Sequence, residues 1–178
     1  MQKILELIKK YWGYHFLRPL QAEAMQAVLD KTDSLVVLPT GAGKSLCYQA
    51  PALLQEGTTV VISPLIALMK DQVDNLRQNG ISAAQLDSTM NLEDKSELQF
   101  KLLDGGITLL FVSPERALMP EFISLLKQIQ LNSIAIDEAH CVSQWGHDFC
   151  FFFCSLGKLK TLFGDILVHV YTATASER

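Results

Sequence analysis

Two short stretches carry residue types that could do phosphate chemistry. The first is Leu38-Pro39-Thr40-Gly41-Ala42-Gly43-Lys44-Ser45, and the second is Asp137-Glu138-Ala139-His140. Gly41 and Gly43 can take backbone angles closed to other residues, so successive N–H groups of the turn can point inward at an anion. Lys44 would reach the β- and γ-phosphates of a nucleoside triphosphate, and the Ser45 hydroxyl would ligate Mg²⁺. The spacing departs from G-x-x-x-x-G-K-[ST] at one place, because Leu38 stands where the first Gly belongs. The plain alternative is a Gly-containing turn in an α/β domain. In the second stretch two acids follow an apolar run. Asp137 would hold the metal through water, and Glu138 would orient and deprotonate the attacking water. The plain alternative there is a polar cap on a strand end. Together the two stretches point to ATP hydrolysis. Pro39, Thr40, Gly41, Ala42, Gly43, Lys44 and Ser45 would form the cradle, Ser45 and Asp137 would hold the metal, and Lys44, Asp137 and Glu138 would be the catalytic set.

These residues need elements to position them. Leu35 to Leu38 is an apolar, β-branched run and reads as a buried strand, and a helix from Ser45 to about Leu54 follows the turn. That helix would add its partial positive N-terminal charge to the cradle. Further strands are expected at Thr59–Ser63, Ile81–Leu86, Ile107–Val112, Ser133–Ile136 and Ile166–Tyr171. Helices are expected at Met1–Tyr11, from about Pro19 to Leu29 with Pro in the first turn, from Ser63-Pro64 to Asn79, at Asn91–Leu103 with Asn91 as cap, and at Pro120–Ile129. Continuous apolar strands alternating with helices indicate a mostly parallel sheet covered on both faces. In such sheets ligands bind beyond the carboxyl ends of the strands, where the phosphate loop, Ser63-Pro64, Ser113-Pro114 and Asp137-Glu138 all fall. Upstream of the phosphate loop, Tyr14 or Arg18 could stack on a base, and the Gln21 amide offers a donor and an acceptor to an adenine edge. An aromatic cluster at Trp12 to Phe16 could equally be core.

The totals fit one α/β domain. The chain has 178 residues, of which 49% are hydrophobic, and this composition excludes disorder. Net charge is −4, so a general basic nucleic-acid surface is not expected. No apolar run reaches membrane-spanning length and no leader pattern opens the chain, so the expected location is cytoplasmic, nucleoid-associated in a bacterium or nuclear in a eukaryote. The four cysteines, Cys47, Cys141, Cys150 and Cys154, lack the spacing of a disulfide framework and read as reduced thiols.

Over nearly its whole length the chain resembles the first motor lobe of RecQ-family DNA helicases. Tyr14 to Gln21 approximates Y-x-x-F-x-R-P-x-Q, with Leu17 where that family has Phe. Leu38 to Gln49 resembles the RecQ phosphate loop, in which a non-Gly residue at the Leu38 position is normal. Ser63 to Val73 and Phe111 to Ala117 resemble DNA-contacting motifs, and Asp137 to His140 is a DEAH box. His140 to Phe149 resembles the aromatic-rich loop, and Thr172 to Ala175 resembles the motif that couples hydrolysis to DNA movement. The resemblance implies a RecA-like lobe using ATP and Mg²⁺. Tyr14, Arg18 and Gln21 would bind the adenine. Ser63, Pro64, Ser113 and Pro114 would line a single-strand path, with Trp145 and Phe149 stacking on bases. His140, Gln144, Thr172 and Thr174 would couple the two sites. It also implies 3′ to 5′ translocation on single-stranded and forked DNA, in recombination and repair, by a motor that includes a second lobe.

Two departures qualify these expectations. Where the family continues R-P-x-Y after Phe149, this chain has Cys150-Phe151-Phe152-Phe153-Cys154, so the Arg that joins DNA to ATP in the family is absent. His147, Cys150 and Cys154, with Cys141 near in sequence, are spaced as candidate zinc ligands, although an altered loop is the plainer reading. The four arginines, Arg18, Arg77, Arg116 and Arg178, include none in a second-lobe arginine-finger motif. The second lobe, the zinc-binding part and the winged-helix part of RecQ proteins are not in the sequence, so residues 1–178 are expected to be a single ATP-binding domain, with 1–22 as its N-terminal helix and adenine segment. The chain alone is expected to bind nucleotide weakly and not to unwind DNA. The rival expectations are a non-catalytic remnant that binds nucleotide or a partner, and an ATPase of the RNA-helicase type.

Overall fold

Alternating apolar strands and amphipathic helices condense here into a single all-parallel sheet with helices on both faces. The computed structural model describes residues 1–87, 90–139, 159–164 and 166–173. The strands are β1 (Ser34–Val37), β2 (Thr58–Ile62), β3 (Ala83–Leu86), β4 (Leu109–Val112), β5 (Leu131–Ile136) and β6 (Leu167–Thr172). Their order across the sheet is β1-β6-β5-β2-β4-β3, and every pairing is parallel. The helices are α1 (Gln2–Trp12), α2 (Gln21–Leu29), α3 (Leu46–Ala52), α4 (Ile66–Gln78), α5 (Leu92–Leu103), α6 (Pro114–Ala117) and α7 (Pro120–Leu126).

The side-chain period of two splits the core. Val36, Tyr171, Ala135, Val61 and Phe111 face one way and pack with Ile4 and Ile8 of α1, Met25 of α2, Cys47 of α3 and Met69 and Val73 of α4. Ile134, Ile136, Val60, Ile62 and Leu110 face the other way, against Leu98 and Leu102 of α5, Ala117 of α6 and Phe122 and Leu126 of α7. The central strands are buried on both faces, which is why they read as unbroken apolar runs. β1 and β3 form the two edges, and on β1 Leu35 is 66% exposed.

Local chemistry accounts for the ends of the elements. Gly13 stops α1 in the left-handed region at φ 72°, its N–H bonded to the Lys9 carbonyl. The Asn91 side chain accepts the Asp94 N–H at 2.8 Å and caps α5 as expected. Pro19 does not open α2, contrary to expectation: Leu20 takes a left-handed φ of 66°, and the helix begins at Gln21. α3 ends at Ala52, one residue after Pro51, which has no N–H to donate to the preceding turn. The short helix α6 was not expected; Ser113 caps it, accepting the Arg116 N–H.

One buried polar pair ties the β1 edge to the sheet. His169 on β6 pairs in register with Ser34, and its Nδ1 lies 2.9 Å from the Ser34 hydroxyl. Nε2 is buried with no hydrogen-bond partner among the described residues. Burial pushes the imidazole down to about 4, against a smaller opposite pull from the Asp33 carboxylate. The unfolded chain therefore takes up this proton near pH 6.5 while the folded chain resists it until about pH 4. Stability contributed by neutral His169 is complete above pH 6.5 and is lost as the pH falls toward 4, on the order of 3 kcal/mol at 1.36 kcal/mol per pK unit. Urea denaturation across this window should show the decline in the wild type and a shallower one in His169→Gln.

Candidate nucleotide site

The strand order brings the chemistry-bearing loops into one row at the carboxyl ends of the strands. From the β1 edge inward they are the phosphate loop after β1, Thr172 at the end of β6, Asp137-Glu138 after β5, Ser63-Pro64 after β2 and Ser113-Pro114 after β4. The Leu38 N–H still bonds to the Thr172 carbonyl at 3.0 Å, so the loop from Pro39 to Ser45 springs directly from sheet pairing.

Within that loop Gly41 and Gly43 both sit at positive φ, 80° and 81°, the left-handed freedom the sequence reading required. Gly43 also has a neighbour: a Cβ there would lie 2.5 Å from the Gln21 amide nitrogen. Gln21 is buried, and its amide donates to the carbonyls of both Ala42 and Gly43 at 3.1 Å. Its Oε1 accepts the Arg18 N–H at 2.8 Å, and the Arg18 guanidinium donates to the Gly41 carbonyl. The two polar residues expected to read adenine are thus clamped to the phosphate loop. Tyr14, 56% exposed, lines a cleft of roughly 550 Å³ beside them, as does Phe16, 77% exposed, so neither aromatic is core. Pro39, Thr40 and Gly41 are exposed, and Ala42, Gly43 and Ser45 are half-buried.

Lys44 is buried between two acceptors. Its Nζ lies 3.7 Å from Glu138 Oε1 and 3.4 Å from the Leu38 carbonyl oxygen. Glu138 reaches it from a left-handed turn, φ 52°, which a non-glycine residue holds at a cost of about 1–3 kcal/mol. Asp137 precedes that turn and is buried; its N–H continues the β2–β5 pairing by bonding to the Ile62 carbonyl at 2.9 Å. Its Oδ1 accepts the Glu138 N–H at 2.9 Å, and its Oδ2 accepts the Tyr48 hydroxyl at 2.8 Å and the Gln72 amide at 3.4 Å. The Ser45 hydroxyl and the Asp137 carboxylate are hard oxygen donors of the kind Mg²⁺ takes.

Sequence reasoning missed this polar network under the loop. Tyr48 and Gln49 of α3 and Gln72 of α4 are joined by hydrogen bonds of 2.8 and 3.0 Å. The available signal was a Tyr-Gln pair at helix positions that otherwise need apolar side chains. Burial, and next the Asp137 charge, hold the Tyr48 phenol well above its usual range. Burial pushes the Cys47 thiol up to about 12, so it is an inert structural thiol at neutral pH.

On the neighbouring strand ends Ser63 is buried, with no hydrogen-bond partner for its hydroxyl among the described residues, while Pro64 is half-buried. The Ser113 hydroxyl is engaged as a cap, and Pro114 holds the first position of α6. Thr172 is buried beside the phosphate loop. His140, Gln144, Trp145, Phe149 and Thr174 lie outside the described residues, as do the candidate zinc ligands Cys141, His147, Cys150 and Cys154. Among the described residues no group of three or more His, Cys, Asp or Glu side chains could hold a metal ion, and no helix is long and apolar enough to cross a membrane.

The loop geometry separates its two glycines. Either Gly→Ala substitution forces an L side chain into a left-handed conformation, costing about 1–2 kcal/mol. Only Gly43→Ala also expels the Gln21 amide, losing two further hydrogen bonds of about 1 kcal/mol each. Thermal unfolding of the nucleotide-free chain should therefore fall further in Gly43→Ala than in Gly41→Ala. The difference should vanish in a Gln21→Ala background.

Comparison with known proteins bears on this geometry. Residues 18–178 match the DEAD/DEAH box helicase family. The chain is 50% identical over 171 residues to the ATP-dependent DNA helicase RecQ of Haemophilus influenzae, covering 96% of this chain and 28% of that protein. It is 47% identical over 181 residues to the RecQ helicase of Bacillus subtilis, covering 99% of this chain and 30% of that protein. It therefore spans less than a third of the length of these relatives. In fold it is similar to the DUF1998 helicase MrfA solved with DNA and AMPPNP, with a TM-score of 0.77 over 98% of this chain and 26% of that one, at 21% identity. The phosphate loop, the Asp137-Glu138 pair facing it and the six-stranded parallel sheet beneath them are those of a helicase lobe, and the chain belongs to the DEAD/DEAH box helicase family.

Proposed function

We propose that this chain is the N-terminal ATP-binding lobe of a RecQ-type ATP-dependent DNA helicase. The observation that carries the reading is the apposition of Lys44 and Glu138 across the phosphate loop, on a chain 50% identical over its matched length to the RecQ helicase of Haemophilus influenzae. Lys44 exchanges its carbonyl and carboxylate acceptors for the β- and γ-phosphates. Released from Lys44, the Glu138 carboxylate takes the proton of the attacking water. Ser45 and Asp137 are the residues that would hold Mg²⁺, which when bound supplies charge neutralisation at the phosphates. Arg18 and Gln21 leave the loop carbonyls to take the adenine edge, with Tyr14 against the base.

The DNA path runs over the strand ends next to this site. Buried Ser63 cannot offer its side chain outward, so contact there falls to the exposed residues Leu65 and Ile66 after Pro64 and to the half-buried start of α6 at Ser113-Pro114. Single-stranded and forked DNA, 3′ to 5′ unwinding and closure by a second lobe belong to the whole protein, with roles for Trp145, Phe149, His140, Gln144, Thr172 and Thr174 as the sequence reading assigns them. The working compartment is the one that holds the DNA.

Steady-state ATP hydrolysis by this chain, with and without single-stranded DNA, tests the reading when nucleotide binding is measured beside it. The expected result is slow turnover together with nucleotide binding that Lys44→Ala weakens by at least about tenfold, the size of a lost charged hydrogen bond. Glu138→Gln should bind nucleotide but lose the residual turnover. A wild-type chain that binds no adenine nucleotide would overturn the reading.

A further inference from the structure

Beneath the phosphate loop one phenolic hydroxyl meets more acceptors than it can serve. Tyr48 Oη lies 2.8 Å from Asp137 Oδ2 and 2.8 Å from Gln72 Oε1. A phenol carries a single proton, and both of these oxygens are acceptors, so only one receives it at a time. The ring itself has no such choice. It is buried and packs against Tyr171, with centroids 5.2 Å apart at 60°.

The second acceptor stands on a different element. Gln72 lies on α4, the helix entered from the Ser63-Pro64 strand end. Its Oε1 also accepts the Gln49 amide at 3.0 Å, and its Nε2 reaches Asp137 Oδ2 at 3.4 Å. α4 is thereby tied by one side chain to α3 and to the Asp137 carboxylate. In this arrangement the phenolic proton is shared between Gln72 and Asp137; were α4 further away, Asp137 would keep the proton and lose the amide.

We propose that Tyr48 is a positioning residue for the Asp137 carboxylate, and that Gln72, by competing for the same phenolic proton, makes the orientation of that carboxylate depend on where α4 sits. The inference rests on the reading of Ser45 and Asp137 as the metal-holding pair. It adds a physical link from the strand end beside the DNA path to the metal side of the nucleotide site. A carboxylate with a donor on each oxygen is held in one orientation. Removing an outer partner of a metal-holding group costs about 10–100-fold in metal affinity.

The probe is Mn²⁺, followed by electron paramagnetic resonance on the 178-residue chain with a non-hydrolysable ATP analogue. Tyr48→Phe keeps the ring and its packing and removes only the hydroxyl. Its Mn²⁺ affinity should fall about tenfold, while in an Asp137→Asn background the same substitution should change it by less than about twofold. Gln72→Leu should change Mn²⁺ affinity less in Tyr48→Phe than in the wild type, because there only the direct amide contact with Asp137 is lost. Affinity unchanged by Tyr48→Phe, or reduced equally with and without Asp137, would overturn the inference. So would additive effects of Tyr48→Phe and Gln72→Leu. Binding of the analogue without metal, measured beside Lys44→Ala, separates the two levels. If the analogue binds and the metal results fail, the inference falls alone; if no analogue binds, the metal-site reading falls and takes the inference with it.

Discussion

A buried ammonium that must not lack an acceptor organises this lobe. Lys44 sits among low-dielectric surroundings, where an unpaired charge would cost several kcal/mol. It is held by the Leu38 carbonyl and, at longer range, by Glu138. Much else serves this arrangement. The glycines turn the loop over the ammonium, the Gln21 amide holds the loop carbonyls, and Glu138 accepts a left-handed backbone to bring its carboxylate within reach. A triphosphate is a stronger acceptor than either present partner, so under the proposed function the Leu38 carbonyl and Glu138 would be provisional partners that nucleotide binding frees.

The sheet explains why those partners meet. Placing β6 and β5 between β1 and β2 sets the acidic turn near the phosphate loop although nearly a hundred residues separate them in sequence. Parallel pairing makes all the carboxyl ends coincide, so loops from five strands share one rim. Rigidity comes from the double-sided core. Around the site, hydrogen bonds fix the polar groups of Arg18, Gln21, Tyr48 and Gln72.

Much of this was legible in the sequence. Thr59 to Ile62 and Ser133 to Ile136 are strands buried on both faces as read, whereas Leu35 to Leu38, read as a buried strand, forms an edge on which Leu35 and Val37 are exposed; the glycine turn and acid pair fall at the strand ends as read. Asn91 announced its cap. What stayed hidden was non-local. Gln21 and Arg18 look like base readers from spacing, and nothing in spacing shows that their free donors are taken by carbonyls twenty residues on. Ser63 looks like a phosphate contact until packing buries it. Tyr48 and Gln72 are 24 residues apart and meet only because α3 and α4 cover the same sheet face. Leu20 broke the expected helix start because a left-handed leucine is not a preference any local rule selects.

The central claim is that Glu138 is a provisional partner of Lys44 and not a support for nucleotide binding. Calorimetric titration of Glu138→Gln with an ATP analogue tests it most directly. The account predicts affinity equal to or tighter than that of the wild type, because the ammonium no longer has to leave a carboxylate to reach the phosphates. Affinity reduced as severely as in Lys44→Ala would contradict it.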